Sequence, residues 1–314
     1  GGCLILIIKE SSEPESLIRL KRLVTRLEDP SPYLQELRNR EQGYKNERQL
    51  QFFLDRILYK FDPIIILHDI RIPINRTSFQ IDCLLLTSNF GLIIEIKSSS
   101  GKMMFTQNGQ FFHYDKGDMY NPITQVIEQR DRIVDFLGMD NYIFEYVVCL
   151  GNPSVSVQTD ESSNWVLDRI IPFEQLKNFI GKLFRKYPQP VMDKSKIINI
   201  GNHLKTSHKN GLRRFWHLDS SLVEPGVICP DCHRLKMERT RYKWRCKHCN
   251  RVSNDAHLET MLDWFSMINH DKMTNADCKS FLAIDNTRTA TTLLSNCEYV
   301  SRVGRKRWTY YTLK

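Results

Sequence analysis

The sequence predicts an α/β fold in which a mixed sheet is flanked by helices and followed by two smaller modules. Three observations predict this fold. The first half of the chain reads helix, three strands, helix and strand, with one inserted hairpin, and that order builds a sheet covered by helices. Four cysteines then form two C-x2-C pairs. The C-terminal segment reads as helices followed by a basic hairpin.

Composition narrows the classes of function. The chain has 314 residues, 41% of them hydrophobic, a formal net charge of +9 and a pI near 9.0. Basic surface is typical of nucleic-acid binding, so a polyanion is the expected partner, ahead of a membrane surface. No apolar run approaches the roughly 20 residues of a membrane-spanning helix, and the opening residues make a poor signal peptide. We therefore expect a cytoplasmic protein that does not bind membranes.

Leucines at helical spacing indicate a helix in the N-terminal segment, before Pro30 and Pro32 interrupt the pattern. They are Leu17, Leu20, Leu23 and Leu27. A second helix is predicted over residues 44–58, with Glu47 near its start. We interpret residues 1–42 as a peripheral helical arm.

Strand patterns follow the second helix. The predicted strands are 64–72, 79–87, 92–96 and 142–150, with a hairpin over 103–114 that turns at Asn108-Gly109. A helix is predicted from Asn121-Pro122 to Gly138, and another over 173–187. The predicted segments are the arm 1–42, a sheet domain 43–152, a helical connecting region 153–224, a ribbon 225–252 and a C-terminal domain 253–314.

Two carboxylates and one ammonium interrupt the apolar hairpin over residues 79–101. Glu95 and Lys97 are two residues apart and share one strand face. If Ser88–Gly91 form the loop, Asp82 lies directly opposite Lys97. Buried charges are costly unless they are paired or hold a metal, and clustered carboxylates favour a hard cation such as Mg2+. The pattern predicts a phosphodiester-cleaving site, and a cross-strand salt bridge is the alternative.

Four short motifs occur in order along the sheet domain. They are Glu47, Phe79-Gln80-Ile81-Asp82, Glu95-Ile96-Lys97, and the helix start from Asn121-Pro122 to Gln125. Together they resemble the nuclease-related domain (NERD), a branch of the PD-(D/E)XK nuclease superfamily, over about residues 43–152.

The resemblance implies a role for each charged residue of the hairpin. By it, Asp82 and Glu95 would bind Mg2+ or Mn2+, Lys97 would activate or position the attacking water, and Glu47 would be an auxiliary metal ligand. Gln80 and Gln125 match polar positions that flank the site. We assign Gln80 to the catalytic group and Gln125 to the nucleic-acid contacts.

One position departs from the pattern of the family. The family often has Gly-x-x-Gly-Glu before the first carboxylate, where this sequence reads Gly43-Tyr44-Lys45-Asn46-Glu47. Asn adopts glycine-like backbone conformations more readily than most residues. We therefore expect Asn46 to replace the glycine.

The two C-x2-C pairs predict a zinc ribbon. The ligands would be Cys229, Cys232, Cys246 and Cys249, with thirteen residues between the pairs. Because all four positions around the metal are filled by thiolates, the expected Zn2+ is structural. A redox dithiol or two disulfides are the alternatives, and cytosolic disulfides are rare.

The C-terminal segment has the pattern of a winged helix. Helices are predicted over 257–268, 275–282 and 287–294, before a hairpin over 298–313 that turns at Gly304. The residues expected to contact DNA are Arg288, Arg302, Arg305, Lys306 and Arg307. The alternative is a protein-docking or dimerising domain.

These observations predict a metal-dependent DNA nuclease whose zinc ribbon and winged helix bind the nucleic acid. The sequence leaves open whether the DNA is single- or double-stranded and whether the protein forms a homo-oligomer. One alternative is a non-catalytic DNA-binding or regulatory protein with a vestigial nuclease fold. A second alternative is an RNA-processing factor.

Overall fold

The computed structural model describes residues 5–58, 64–75, 77–98, 101–106, 110–114, 117–152, 154–209 and 215–314. The predicted turn at Asn108-Gly109 lies outside them. The chain forms two compact units. Unit 1 comprises residues 1–12 and 42–210, and unit 2 comprises residues 13–41 and 211–314. None of the described helices is both long and apolar enough to cross a membrane.

Unit 1 is built on a six-stranded mixed sheet. The strands of the unit are β1 (Ile5–Lys9), β2 (Ile64–Ile74), β3 (Thr77–Thr87), β4 (Gly91–Lys97), β5 (Gly101–Phe105), β6 (Phe111–His113), β7 (Gly117–Met119), β8 (Phe144–Leu150), β9 (Val155–Thr159) and β10 (Ile170–Pro172). The large sheet has the order β1-β2-β3-β4-β8-β10. Within it, β2–β3 and β3–β4 are antiparallel and the other neighbours are parallel. A second sheet has the order β7-β6-β5-β9. The predicted mixed sheet is confirmed.

Helices cover both faces of the large sheet. The helices of the chain are α1 (Glu15–Arg26), α2 (Ser31–Ile57), α3 (Pro122–Leu137), α4 (Leu176–Lys186), α5 (Lys194–Ser207), α6 (Ala256–Met267), α7 (Asn275–Phe281) and α8 (Thr287–Ser295). Leu54 of α2 and Ile180 of α4 belong to the core on one face, and Ile133 of α3 and Leu204 of α5 to the core on the other. Each such buried aliphatic side chain contributes about 1.5–3 kcal/mol. The central strands therefore lie between two apolar layers.

The N-terminal region differs from the predicted arm. Residues 5–9 form β1, which pairs in parallel with β2 and so belongs to the large sheet. Helix α2 begins at Ser31 and is continuous through Gly43, whereas the second helix was expected to begin at residue 44. Pro32 stands in the first turn of α2, where the N–H that proline lacks would have no helical partner. Strand β1 and helix α1 are assigned to different units, a division that differs from the predicted segments.

Strands β2 and β3 change faces near their middle. In β2, the odd-numbered residues before position 69, such as Leu67, lie in the core under α3 and α5. After position 69, the even-numbered residues, such as Ile70, lie in that core. In β3, Ile81 and Leu84 both belong to that same core. Asp69 lies at the change and has a positive φ of 47°, which a short polar side chain tolerates. Asp82 lies at the corresponding place in β3, where the alternation of the two cores is interrupted.

The hairpin of β3 and β4 brings the two predicted metal ligands to adjacent strands. Cys83 pairs with Ile94. Continuing this register by one residue places Asp82 opposite Glu95. The prediction that Asp82 lies opposite Lys97 is therefore wrong by two residues. Because side chains alternate with period two, this shift leaves Asp82 on the predicted face.

Thr87 explains the shift in register. Its backbone N–H donates to the carbonyl oxygen of Phe90 at 3.0 Å, and its hydroxyl donates to the same oxygen at 2.7 Å. The turn is therefore Thr87–Phe90 rather than Ser88–Gly91. Gly91 starts β4 with no room for a side chain, since an added Cβ would lie 2.4 Å from the ring of Phe144.

Unit 2 contains the cysteine ribbon and three C-terminal helices. Its strands are β11 (Glu238–Arg239), β12 (Trp244–Arg245), β13 (Val252–Ser253), β14 (Val300–Val303) and β15 (Tyr310–Leu313). Strands β11, β12 and β13 form an antiparallel sheet, and β14 pairs with β15. Thr274 and Asp277 form a capping box at the start of α7. An isolated bridge joins Met273 to Tyr311.

A buried ion cluster fastens α1 to α6 within unit 2. Asp263 is fully buried and accepts hydrogen bonds from three guanidinium groups of α1. The distances are 2.7 Å from Arg19, 2.7 Å from Arg22 and 2.9 Å from Arg26. Burial alone would raise the pKa of Asp263, but the three arginines lower it to about 2.

Candidate active site

Glu95 on β4 accepts hydrogen bonds from three side chains. Its Oε1 accepts from Lys97 Nζ at 2.8 Å and from Gln125 Nε2 at 2.6 Å, and its Oε2 accepts from Gln129 Nε2 at 2.9 Å. Gln125 and Gln129 are four residues apart on α3 and therefore face the strand together. Lys97 Nζ also donates to Gln125 Oε1 at 2.8 Å, and 25% of its side chain is exposed. The ammonium is thus fixed in position at the edge of the site.

Asp82 on β3 lies among like charges. Its Oδ2 accepts the backbone N–H of Ile96 at 2.9 Å. Burial raises the pKa of Asp82 well above its ordinary value, and the charges of Glu95 and Glu47 raise it further. The Ile96 N–H and the charge of Lys97 act in the opposite direction. A divalent cation at this position would relieve the repulsion, because the ion becomes the largest local charge.

Glu47 on α2 is the third carboxylate of the site. Burial raises its pKa to about 7, the charges of Asp69 and Glu95 contribute to the rise, and Lys9 opposes it. The group therefore titrates near neutral pH. A carboxyl group with a strongly shifted pKa beside other carboxylates is a candidate for a functional role.

Asp69 and Lys9 are site residues that the sequence analysis missed. Lys9 Nζ lies 3.8 Å from Asp69 Oδ2 and donates to the carbonyl oxygen of His68 at 2.9 Å. The charges of both residues act on Glu47. Asp69 lies in an apolar strand as Asp82 does, and that similarity was an available signal. Lys9 had none, because its strand reaches the site only through long-range pairing with β2.

The three carboxylates do not converge on one point. Among the described residues, the only group of three or more His, Cys, Asp or Glu whose ligand atoms all lie within 4.8 Å of one another is the cysteine cluster. Glu47, Asp82 and Glu95 are therefore more widely spread than a compact ligand set. A cation held by Asp82 and Glu95 would reach Glu47 through water, as Mg2+ commonly keeps several waters.

Gln80, which the sequence analysis assigned to the catalytic group, is an exposed residue of β3. Its amide donates to Asp69 Oδ1 at 2.8 Å and accepts from Arg71 at 3.4 Å. Within the described part of the chain, it forms no hydrogen bond with Asp82. The contact of Gln80 with the site therefore runs through Asp69.

Asn46 packs its side chain where the family often has glycine. The residue is helical and buried, and a Cβ added at Gly151 would lie 2.7 Å from its Nδ2. Its Oδ1 accepts from Gln42 Nε2 at 2.8 Å. The backbone argument for Asn46 does not apply, because any residue adopts a helical conformation. The close approach of Gly151 makes room for the amide.

The four cysteines form a compact cluster in unit 2. Cys229 Sγ lies 3.6 Å from Cys249 Sγ, and Cys232 Sγ lies 3.5 Å from Cys246 Sγ. A tetrahedral Zn–S4 site with bonds of about 2.3 Å separates its sulfurs by about 3.8 Å, whereas a disulfide has an S–S bond of about 2.0 Å. The donor set and spacing therefore fit a zinc ion, and the disulfide alternative does not describe these thiols.

The predicted DNA contacts of the C-terminal segment lie on exposed surface. Arg288 is exposed on α8, Arg302 on β14, and Arg305 and Lys306 in the loop before β15. The side chain of Arg307 lies outside what the structure describes. Gly304 has a positive φ of 80° at the predicted turn.

The fold and the site of unit 1 agree with the resemblance found in the sequence. The mixed sheet lies between helices and carries Asp82, Glu95 and Lys97 on adjacent strands, as the resemblance to the PD-(D/E)XK nucleases implies. The family model of the nuclease-related domain matches residues 42–151. This segment is therefore similar to a NERD domain.

The other comparisons add little. No curated protein matches the chain. Among solved structures, the crystal structure of protein VC1899 from Vibrio cholerae aligns with a TM-score of 0.30 and 12% identity. The alignment covers 55% of this chain and 51% of that chain, so the chain spans about half the length of the protein that it matches.

Proposed function

We propose that the protein is a Mg2+- or Mn2+-dependent nuclease that hydrolyses phosphodiester bonds of DNA. The observation that carries the proposal is the electrostatics of Asp82. A half-buried carboxylate that Glu95 and Glu47 repel is costly to ionise, and a bound cation would remove that cost. The Lys97 ammonium, held by Glu95, lies on the neighbouring strand.

In this proposal, Asp82 and Glu95 would hold the metal, with Glu47 as an auxiliary ligand. The bound metal supplies Lewis acidity to the phosphodiester and lowers the pKa of the attacking water. Lys97 Nζ orients that water and stabilises the negative charge that develops on phosphate. Gln125 and Gln129 fix Lys97 and Glu95 through the hydrogen bonds of α3.

Unit 2 would bind the nucleic acid. Four thiolates would hold a structural Zn2+, which suits the reducing cytoplasm where we place the protein. The order of α6, the Met273 bridge, α7, α8 and the β14–β15 hairpin supports a winged helix that binds DNA through its exposed arginines.

The test compares cleavage by the wild type and by Asp82→Asn, with labelled single-stranded DNA, duplex DNA and RNA of one sequence, with and without Mg2+. We expect metal-dependent cutting of DNA by the wild type and a loss of about 100- to 10,000-fold in the variant, comparable to losing a catalytic group. Asp131→Asn, at an exposed acid of α3, should keep full activity. Equal cutting by wild type and a double Asp82→Ala, Lys97→Ala variant would refute the proposal.

One observation favours a second candidate, a DNA-binding protein with a vestigial nuclease fold. Glu95 already accepts three hydrogen bonds, one of them from Lys97, which resembles the salt-bridge alternative. The two candidates differ in turnover. The second predicts tight DNA binding that Mg2+ does not convert into cleavage, and the same assay distinguishes them.

A further inference from the structure

The zinc ribbon presents an aromatic side chain at the turn between β11 and β12. Tyr242 keeps 67% of its surface exposed. The turn that carries it is braced, because the N–H and the hydroxyl of Thr240 both donate to the carbonyl oxygen of Lys243, at 2.8 and 2.9 Å. A side chain presented on a braced backbone loses little conformational freedom when a partner binds.

The neighbouring aromatic residue of the ribbon has the opposite environment. Trp244 is 1% exposed, and its Nε1–H donates to His257 Nδ1 at 3.2 Å. The guanidinium of Arg239 lies 4.9 Å from the centre of the Trp244 ring. Trp244 therefore fills the core of the ribbon, whereas Tyr242 contributes nothing to that core. Packing does not explain an aromatic residue at position 242.

The cations beside Tyr242 differ from those beside the cysteines in whether they form salt bridges. Near the cysteines, Lys247 pairs with Glu238 at 2.6 Å and Arg251 with Asp231 at 3.5 Å. Arg241 and Lys243 are exposed, and in the described structure neither forms a salt bridge. The guanidinium of Arg241 lies 5.0 Å from the centre of the Tyr242 ring. The turn thus combines an accessible ring with two cations that no acid neutralises.

We propose that the ribbon turn Arg241–Lys243 binds an unpaired base of a single-stranded nucleic acid. Tyr242 stacks on the face of the base, and Arg241 and Lys243 contact the phosphates on either side. Stacking platforms flanked by cations are the usual means of binding single strands, and the base faces of a duplex are covered by their neighbours. The inference deepens the proposed function by naming the strand form, and it rests on that proposal for nucleic acid as the partner.

The experiment measures binding by fluorescence anisotropy without Mg2+, so that it does not depend on cleavage. The probes are a labelled oligothymidylate, an oligouridylate of equal length and a duplex. We expect Tyr242→Ala in the full chain to weaken binding of the single strands about 5- to 100-fold and to change duplex binding less than about 2-fold. Tyr242→Phe keeps the ring and should bind within about 2-fold of the wild type.

Two controls separate stacking from folding. Val252→Ala removes an exposed apolar side chain from the same ribbon and should leave binding unchanged, and zinc content should be equal in all variants. An oligothymidylate carrying 5-iodouracil should photocrosslink to Tyr242 in the wild type. Unchanged single-strand affinity in Tyr242→Ala, or an equal loss on single strand and duplex, would overturn the inference. Loss of single-strand binding in a protein that never cuts DNA would uphold the inference and refute the nuclease.

Discussion

Each unit contains an aspartate among charged side chains, and the two have opposite electrostatic environments: Asp263 is fully buried and Asp82 is half-buried. Asp263 in unit 2 is surrounded by three arginines, which lower its pKa to about 2 although burial acts to raise it. Asp82 in unit 1 is surrounded by carboxylates, and its pKa is raised well above the ordinary value. Three arginines compensate the charge of Asp263, whereas only Lys97 and the Ile96 N–H act in that direction on Asp82. Under the proposed function, the poorly compensated carboxylate serves the reaction and the well-compensated one serves the fold.

The largest expected effect on stability comes from breaking the cluster of Asp263 and its three arginines. Asp263→Asn should lower the free energy of unfolding of unit 2 by about 3–5 kcal/mol, because it leaves Arg22 and Arg26 without their carboxylate partner. Arg19 keeps its ion pairs with Glu15 and Glu259. Urea denaturation followed by tryptophan fluorescence measures this change, since four of the five tryptophans, Trp216, Trp244, Trp264 and Trp308, lie in unit 2.

The control for Asp263 is Asp271→Asn, an exposed acid after α6 that should cost less than about 0.5 kcal/mol. The wild type adds a pH test. Because the pKa of Asp263 is lowered in the folded state, its contribution to stability is present above the ordinary value of 3.8 and is lost as the pH falls towards about 2. An Asp263→Asn protein as stable as the control would contradict the claim that Asp263 stabilises unit 2 through its arginines.

A smaller change in stability, of opposite sign, is expected when a charge is removed from the carboxylates Glu47, Asp82 and Glu95 of unit 1. The folded protein keeps a proton on Glu47 between its ordinary pKa of 4.5 and about 7, so the stability of unit 1 should fall as the pH rises through that window. Glu47→Gln removes the charge and should stabilise the metal-free protein at pH 8 by about 1–3 kcal/mol. Hydrogen exchange of the β3 and β4 amides at pH 5 and at pH 8 measures the difference.

Two further variants sharpen the Glu47 prediction. Asp82→Asn should change stability in the same direction, since it also removes a repelled charge. Glu174→Gln, at an exposed acid preceding α4, should change nothing. Added Mg2+ should stabilise the wild type more at pH 8 than at pH 5, because the ion competes with the proton. A Glu47→Gln variant that is less stable than the wild type at pH 8 would mean that the carboxylate is already compensated.

The smallest effect is expected at Gln129. Gln129→Met keeps the volume of the side chain but removes the donor to Glu95 Oε2, and it should destabilise unit 1 by about 1–2 kcal/mol. Under the proposed function, cleavage should also fall by about tenfold, because Glu95 loses part of its orientation. Gln35→Met, at an exposed glutamine of α2, is the matched control. Normal stability together with normal cleavage would remove Gln129 from the site.

Local patterns predicted much of unit 1, and the errors come from long-range contacts. Short, nearly continuous apolar runs marked β3 and β4. Asn121-Pro122 marked the start of α3, whose Asn121 side chain caps the helix. The register of the hairpin was wrong because the sequence does not show that Thr87 bonds within the turn. Lys9 was missed because β1 pairs with β2 across a long stretch of sequence, Ile5 with Ile64, which no local pattern shows.

In the same way, Gln129 was missed because nothing in the sequence distinguishes it from a solvent-facing glutamine. Its amide reaches a carboxylate thirty-four residues away. The cysteine cluster required no such information, because four thiols at this spacing can satisfy one ion by local chain geometry alone. Sequence spacing predicts a site well when all the residues of that site belong to one short sequence pattern.

The change of faces in β2 and β3 has a consequence for the history of such proteins. Asp82 lies at the point where the residues of β3 switch from one core to the other. Replacing it therefore removes little packing and relieves the repulsion from the neighbouring carboxylates. A lineage can therefore lose the carboxylate in a single step and keep, or even strengthen, its scaffold. Under the proposed function, Asp82 is retained only while selection on the reaction opposes that gain in stability.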